Sequence, residues 1–438
     1  MSGLGGRLLT LIDKTGDSVD LGGQWVGPES QQPHVWQLLK RFSISTHPQR
    51  YAGKRILDLR LSGSELILYN SDIPSGLGLV VLLVTQFFLW WVDLNAYFRV
   101  KWRIWAPPVT SSALSQFKRL LGWIPVSEAR KTPLALAGTL VRGVFGAEAN
   151  KLSWPHFLRY VSSAGGVERL ATIRHGFQES VIDGGAQQLC RCLAREIQSN
   201  GGHILYNETV VRVSKQNDLS FLIECQSGTN FKATHIVLAV PPAKKTGIVF
   251  QGQPDFCQKQ LSIHKKAIMG CIIKIVLCYK TAFWLEHGFS GEVICEPSLE
   301  APVFNVYDHT INGHPKLVCF INGDVAEKMS RRSQAERKHA VLAQLVGWYG
   351  EEAWSPCEYL EKDWVADIFT GGCPVGCFPP DTDDDELDLL SKPCGRLLWA
   401  GTETADECQG FMSGAVQSGE RAANQIIAEV NGQGVSRK

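Results

Sequence analysis

The chain has 438 residues, with 44 Lys and Arg against 43 Asp and Glu. That balance excludes the basic excess or stripe of a nucleic-acid binder, and 44% hydrophobic residues exclude a disordered chain. The length exceeds one ordinary core, so two sequential or intertwined domains are expected. The thirteen cysteines are scattered through apolar segments such as CIIKIVLCY. They read as buried thiols in a reducing compartment rather than a disulfide framework. No zinc spacing emerges: Cys190 and Cys192 are too close, and Cys373 and Cys377 lack a second pair.

The chain opens on MSGLGGRLLTLIDKTGDSVDLGGQWVGP, glycine-rich with short β-like runs and without a charged-then-apolar signal. Residues 35–45 (VWQLLKRFSIS) form an amphipathic helical pattern, and 55–70 alternate around Ser62-Gly63 as a hairpin does. LGLVVLLVTQFFLWWV, Leu77 to Val92, is apolar but slightly short for a membrane span, with Thr85 and Gln86 at its middle. The first expectation is a buried or pocket-lining helix. Weak contact with a membrane surface through 77–105 comes second, because the flank FRVKWR is basic and aromatic. A true span comes last.

Residues 74–170 are mostly helical in pattern, broken at Pro107-Pro108 and Pro125. Gln187 to Ser199 is a helix leaving the turn Asp183-Gly184-Gly185. Residues 203–242 read as four short strands, and the last, HIVLAV, is a continuous apolar run like a buried parallel strand. Residues 266–280 and 291–323 are strand-rich, and 333–349 are a helix with Ser333 and Glu336 as a capping box. DTDDDELD, Asp381 to Asp388, reads as a solvated loop. GRLLWAGTE is a strand running into a turn, and 411–430 form the last helix. Interleaved strands and helices give an α/β or α+β class with a second domain.

The chemistry concentrates in LLWAGTETADECQGFMSGAVQSGERAANQII, Leu397 to Ile427. A buried strand, a glycine turn and a helix rich in small residues follow one another. Gly410, Ser413, Gly414 and Ala415 let a flat ligand approach the backbone, and a helix N-terminus suits an anion or developing negative charge. A helix packed tightly on a sheet explains the same composition equally well. Lys274, inside the apolar strand GCIIKIVLCYKTAFW, is costly to bury unless paired or deprotonated. Alone, it reads first as a lysine on the polar face of an amphipathic strand.

Leu397 to Ile427 resembles the C-terminal signature of the flavin-containing amine oxidases, the monoamine oxidase family. LGGQWVGP, FGAEANKLSWPHFLRYVSSAGG, DGGAQQL and ETVVRV resemble other family segments in the same order. The resemblance covers nearly the whole chain and thins between about 99 and 125. It implies a two-domain α/β (α+β) fold with a Rossmann-like FAD-binding domain, and a substrate domain of mixed sheet plus helices. The expected FAD-binding segments are 1–60, 171–245 and 365–438, and the substrate segments are 61–170 and 246–364.

The resemblance also implies site residues. Gly401, Thr402 and Glu403 flank the ribityl–pyrophosphate part of FAD, and Met412 the isoalloxazine ring, with Gly410, Phe411 and Ala415 around the helix start. Gly23, Gln24 and Trp25 belong to a turn wrapping the flavin region, and Trp364 resembles a tryptophan near it. Val210 contacts adenine through its backbone. Lys274 holds a water against flavin N5, and Cys373 carries FAD covalently in monoamine oxidases but not in other members. Pro374 and Phe411 stand where monoamine oxidases place two tyrosines, and Cys408 stands where a tryptophan is usual. Asn305 and Phe320 line the substrate cavity.

Gly6 and Arg7 match a turn that follows the family's first βαβ unit, which carries G-x-G-x-x-G. No such motif occurs here, so the chain is expected to be an N-terminally shortened member lacking roughly 30 residues of that unit. Low stability or solubility would follow from unpaired strand edges. The implied activity is FAD-dependent oxidation of a primary or secondary amine by O2 to aldehyde and H2O2. The alternatives are a polyamine or L-amino-acid oxidase, and a non-catalytic member that does not retain FAD. The C-terminus, NGQGVSRK, has no apolar tail, and the cytoplasm is the expected compartment.

Overall fold

The computed structural model describes residues 3–59, 66–70, 74, 76–102, 111–122, 127–217, 220–252 and 255–432. The hairpin turn at Ser62-Gly63 and the helix breaks at Pro107-Pro108 and Pro125 lie outside them.

The largest sheet has seven strands, in the order Glu358–Asp363, Ile272–Cys278, Lys316–Asn322, Asn305–Asp308, Phe289–Cys295, Lys54–Asp58 and Ile67–Tyr69. Its pairs are antiparallel except Phe289–Cys295 with Lys54–Asp58, which run parallel. Ile272–Cys278 is buried at every position, as a central strand covered on both faces must be. One core forms between this sheet and the helix Gln334–Tyr349, through Ile273, Ile275, Val341 and Leu345. That helix begins with the expected capping box: Ser333 caps Glu336 N, and the Glu336 carboxylate accepts from Ser333 N.

A second core is helical. Leu79–Trp102, Ala113–Leu121, Ser127–Phe145 and Trp154–Ala164 pack around Phe88, Phe117, Phe145 and Phe157. Ser153 caps the last of these and Gly165, at φ +79°, ends it. A third unit pairs Ile236–Leu238 with Leu397–Trp399 in parallel, beside the sheet of Val210–Asn217, Ser220–Cys225, Asn230–Ala233 and Val249–Gln251. Lys54–Asp58 falls in the sequence segment assigned to the FAD-binding half, yet it pairs within the seven-stranded sheet.

The structure corrects four expectations. The acidic run is not a solvated loop: Asp384–Asp388 is a short helix capped by Asp383. Asp384 pairs with Arg99 and Arg159, and Asp388 with Arg159, so the buried Arg99 and the half-buried Arg159 tie the run to the protein. The strand in HIVLAV, Ile236–Leu238, is parallel but buried on one face only, since Ile236 and Leu238 are inside while Val237 between them is exposed. Cys257 and Cys394 form a disulfide, and the other eleven cysteines are free. Leu79–Trp102 is buried on one stripe only: Phe88, Val92, Ala96 and Arg99 face the protein, while Leu83, Phe87 and Trp90 are exposed.

Candidate active site

The seven-stranded sheet brings four side chains into one row. Its register sets Lys274 opposite Phe320 on one side and Lys362 on the other, and Phe320 opposite Asn305. Directly opposed residues share a face, so Asn305, Phe320, Lys274 and Lys362 cross four strands on one side. Lys274 is only 2% exposed. Its Nζ donates to Gly22 O at 2.8 Å and to Gln24 Oε1 at 2.5 Å. The Trp25 and Phe320 rings lie 5.8 and 5.4 Å from the ammonium, within cation–π range. Trp25 packs edge-on to Tyr307 at 5.1 Å. Burial pulls the Lys274 ammonium down to about 8, and the nearby Asp20 and Cys373 offset this only in part. Its proton is therefore held less tightly than on an ordinary lysine, which suits an acid–base group working near neutral pH.

Glycine turns hold this lysine's partners. Gly22 and Gly23 donate their N–H groups to Leu9 O and Arg7 O. A Cβ on Gly22 would sit 2.3 Å from Arg7 O, so no side chain fits. Trp364 is buried and its indole N–H donates to Leu21 O at 2.8 Å. In the turn ahead of Pro374, Cys373 N donates to Gly270 O. Gly372, at φ +146°, lies so near Gly270 that a Cβ would be 2.3 Å from its carbonyl oxygen. Burial pushes the Cys373 thiol up to about 11, although Arg7 and Lys274 pull the other way.

Arg7 and Glu403 form the second charged centre. The guanidinium meets the carboxylate at 2.6 and 3.1 Å and also donates to Pro374 O. Gly376 N donates to the same carboxylate. Burial works against both charges, yet their mutual attraction wins, holding Glu403 below and Arg7 above their ordinary values. One pair thereby ties the N-terminal glycine turn, the Cys373–Gly376 turn and the Gly401–Glu403 turn together.

The helix Met412–Val430 starts beside this pair. Its N-cap is Phe411, which has no side-chain oxygen to satisfy the first-turn N–H groups. Gly410, at φ +83°, passes so close to Tyr160 that a Cβ would lie 2.2 Å from its hydroxyl. Gly414 abuts Cys408 O, leaving 2.3 Å for a Cβ. The residues present fit a flat, anion-prone heteroaromatic group. They offer an uncapped helix N-terminus, the buried Lys274 and the half-buried Arg7, and two buried polar atoms with no partner among the described residues, Gln24 Nε2 and Asn305 Oδ1. A solvent-open groove of about 470 Å³ lies elsewhere, between Leu4, Gln188, Arg191, Arg195 and Tyr206, and none of the residues above lines it.

The family model for flavin containing amine oxidoreductases matches residues 2–65 and 113–427. The chain belongs to that family. The probable flavin-containing monoamine oxidase A of Dictyostelium discoideum is 28% identical over 93% of this chain and 86% of that relative. The amine oxidase [flavin-containing] B of Bos taurus is 29% identical over 97% of this chain and 79% of its own length. Among solved structures, a putrescine oxidase double mutant superposes with TM-score 0.84 at 25% identity, covering 97% of this chain and 91% of that one. Cyclohexylamine oxidase from Brevibacterium oxydans IH-35A gives 0.83 at 25% identity, covering 98% and 92%. Family membership makes this chain a flavin-dependent oxidoreductase with an amine substrate and O2 as its reactants.

Against that family background, most residues singled out in the sequence converge. Lys274, Gln24, Trp25, Phe320 and Asn305 form one cluster; Arg7, Glu403 and Pro374 form the next. Thr402 Oγ1 donates to Phe411 O, Gly401 N donates to Ser418 Oγ, and Ala415 N closes the first helical turn on Phe411 O. Met412 instead packs beside the core of Val35 and Leu189. Gly6 has open space around it. Val210 sits apart, at the edge of the core formed by Ile236, Leu397 and Trp399. Two tyrosines went unnoticed in the sequence. Tyr160 lies 6.0 Å from Phe411, and Phe177 meets Phe411 edge-on at 4.5 Å. Tyr307 accepts from Asn305 Nδ2 at 3.2 Å. The alternation of Asn305 and Tyr307 along one strand was the available signal.

Proposed function

We propose that the chain is an FAD-dependent amine oxidase that converts a primary or secondary amine, O2 and water to an aldehyde, ammonia or a smaller amine, and H2O2. The observation that carries this reading is the buried Lys274, its proton loosened by burial, beside Trp25 and Phe320, with one amide atom each of Gln24 and Asn305 left without a partner among the described residues. When bound, FAD supplies the two-electron acceptor for C–H oxidation next to nitrogen. The chain's own residues bind and orient. The first-turn N–H groups of Met412–Val430 would stabilise negative charge on the bound group, the Arg7–Glu403 pair braces the three turns, and Lys274 holds or moves a proton at Nζ.

The substrate side is aromatic. Phe411, Tyr160 and Phe177 form one wall, and Trp25, Tyr307 and Phe320 another. Such walls favour an amine that arrives neutral and apolar over a zwitterion, whose carboxylate would need a free cation; that disfavours the amino-acid oxidase alternative. Polyamines remain a second reading, supported by the likeness to putrescine oxidase. In this proposal the FAD-binding half is 1–60, 171–245 and 365–438, except that Lys54–Asp58 joins the substrate half. The cytoplasm is the proposed compartment.

Cys373 is the residue that would carry FAD covalently. Acid precipitation of the flavin-loaded protein reads this directly: yellow pellet for a covalent bond, yellow supernatant without one. A Cys373→Ser variant should move the colour to the supernatant. Peroxide release from a panel of alkyl, aryl and diamines tests the reaction itself. No peroxide with any of them, from protein showing a flavin spectrum, would sink the proposal.

A further inference from the structure

The helix Leu79–Trp102 is apolar on two opposite faces. On the inner stripe, Phe88, Val92 and Ala96 meet the helical core, and the buried Arg99 pairs with Asp384. The outer stripe recurs at helical spacing: Leu79, Val80, Leu83, Phe87, Trp90, Tyr97 and Val100 are all exposed. Leu83, Phe87 and Trp90 are 63%, 53% and 56% exposed. A water-facing helix surface is normally polar, and a contiguous apolar one marks an interaction site.

Two further observations fix its occupant. From Leu77 to Gly122 the sequence holds five basic residues, Arg99, Lys101, Arg103, Lys118 and Arg119, against the single acid Asp93. Lys101, Lys118 and Arg119 are exposed, while Arg99 and Asp93 are consumed inside the protein. The outer stripe also ends in Tyr97, Lys101 and Trp102, the aromatic and basic mixture of a membrane interface. At 24 residues the helix is long enough to cross a bilayer, yet its inner face is pinned along its length. Asp93 Oδ1 accepts from Val167 N at 2.8 Å, and Arg99 Nε donates to Asp384 at 2.8 Å. The family match resumes only at residue 113 after stopping at 65, so the helix lies in a stretch that the family pattern leaves open.

We propose that Leu79–Trp102 docks this protein on an anionic lipid surface, lying in the plane of the membrane with its outer stripe in the headgroup boundary and without spanning. Binding combines buried apolar area with attraction of Lys101, Lys118 and Arg119 to acidic headgroups. The docked face belongs to the substrate half, so a lipid-soluble amine would meet the enzyme from the membrane.

Vesicle flotation tests this on the full chain. The protein should float with phosphatidylcholine–phosphatidylserine vesicles, float less with phosphatidylcholine alone, and be stripped by alkaline carbonate. The double variant Leu83→Glu, Trp90→Glu should lose roughly tenfold or more of its vesicle-bound fraction and keep its flavin spectrum and melting curve, because both side chains are exposed. Wild-type protein that stays unbound with both vesicles overturns the proposal. So does carbonate-resistant binding, which means a span, and so does a dimer in light scattering that the double variant dissociates, which means a second copy covers the face. None of these readouts depends on amine turnover, so the docking surface can fail while the oxidase reading stands, and the reverse.

Discussion

Replacing Lys274 by Met separates the chemistry of this lysine from its structural role. The fall of its ammonium from 10.5 to about 8 corresponds to roughly 3 kcal/mol against the charged form in the folded state. Against that stand two charge-assisted hydrogen bonds, to Gly22 O and Gln24 Oε1, worth about 1.5–3 kcal/mol each. These opposing contributions are of similar size, so the variant should unfold within a few kcal/mol of wild type at pH 7. The difference between the two proteins should depend on pH with a definite sign. Between about 8 and 10.5 the unfolded lysine binds a proton that the folded one has released, so wild-type stability rises relative to the variant across that window. The slope approaches about 1.4 kcal/mol per pH step. Activity should fall about 100-fold or more, the range for loss of an acid–base group. Urea melts across that pH range and steady-state peroxide assays check both. A stability difference that is flat with pH, or a variant as active as wild type, would refute the reasoning.

Glu403→Gln leaves the half-buried Arg7 guanidinium without its counter-charge and should cost about 2–3 kcal/mol in a denaturant melt. Because Glu403 is held below its ordinary value in the fold, the wild type's advantage should be complete above the usual carboxylate range. It should be lost as the pH falls through the lowered folded value. Gly22→Ala places a Cβ 2.3 Å from Arg7 O and should cost about 1–3 kcal/mol, with weaker flavin retention in the same preparation. Arg99→Ala removes one of the two arginine partners of Asp384, the one carried by the apolar helix. It should make that helix the first site of cleavage in limited proteolysis, while a distant surface change such as Arg331→Ala leaves the pattern unaltered.

Much of this was legible because some residues leave one physical option. Ser333 and Glu336 at capping-box spacing open a helix where expected, and Gln187 to Ser199 is helical with the same bounds. Lys274 was ambiguous by itself, since a lysine in an apolar strand fits a half-exposed edge as well as a buried centre. Only the pairing of its strand on both sides decides that, and strand pairing is a long-range property. The acidic run misled because its partners, Arg99 and Arg159, are more than 200 positions away in sequence. The apolar helix misled for the opposite reason: hydrophobic residues on every side look like burial, and only the fold shows which stripe the protein covers. Tyr160 and Phe177 could not be tied to Phe411 from sequence, because their contacts arise from the approach of two distant helices and a loop.

The central claim is that this chain oxidises an amine with a bound flavin. The most direct measurement is the visible spectrum of the purified, FAD-reconstituted protein before and after an amine is added without oxygen. The account predicts flavin bands that bleach with the amine and return when air is admitted. Absence of any flavin band after reconstitution, or bands indifferent to every amine in the panel, would contradict it.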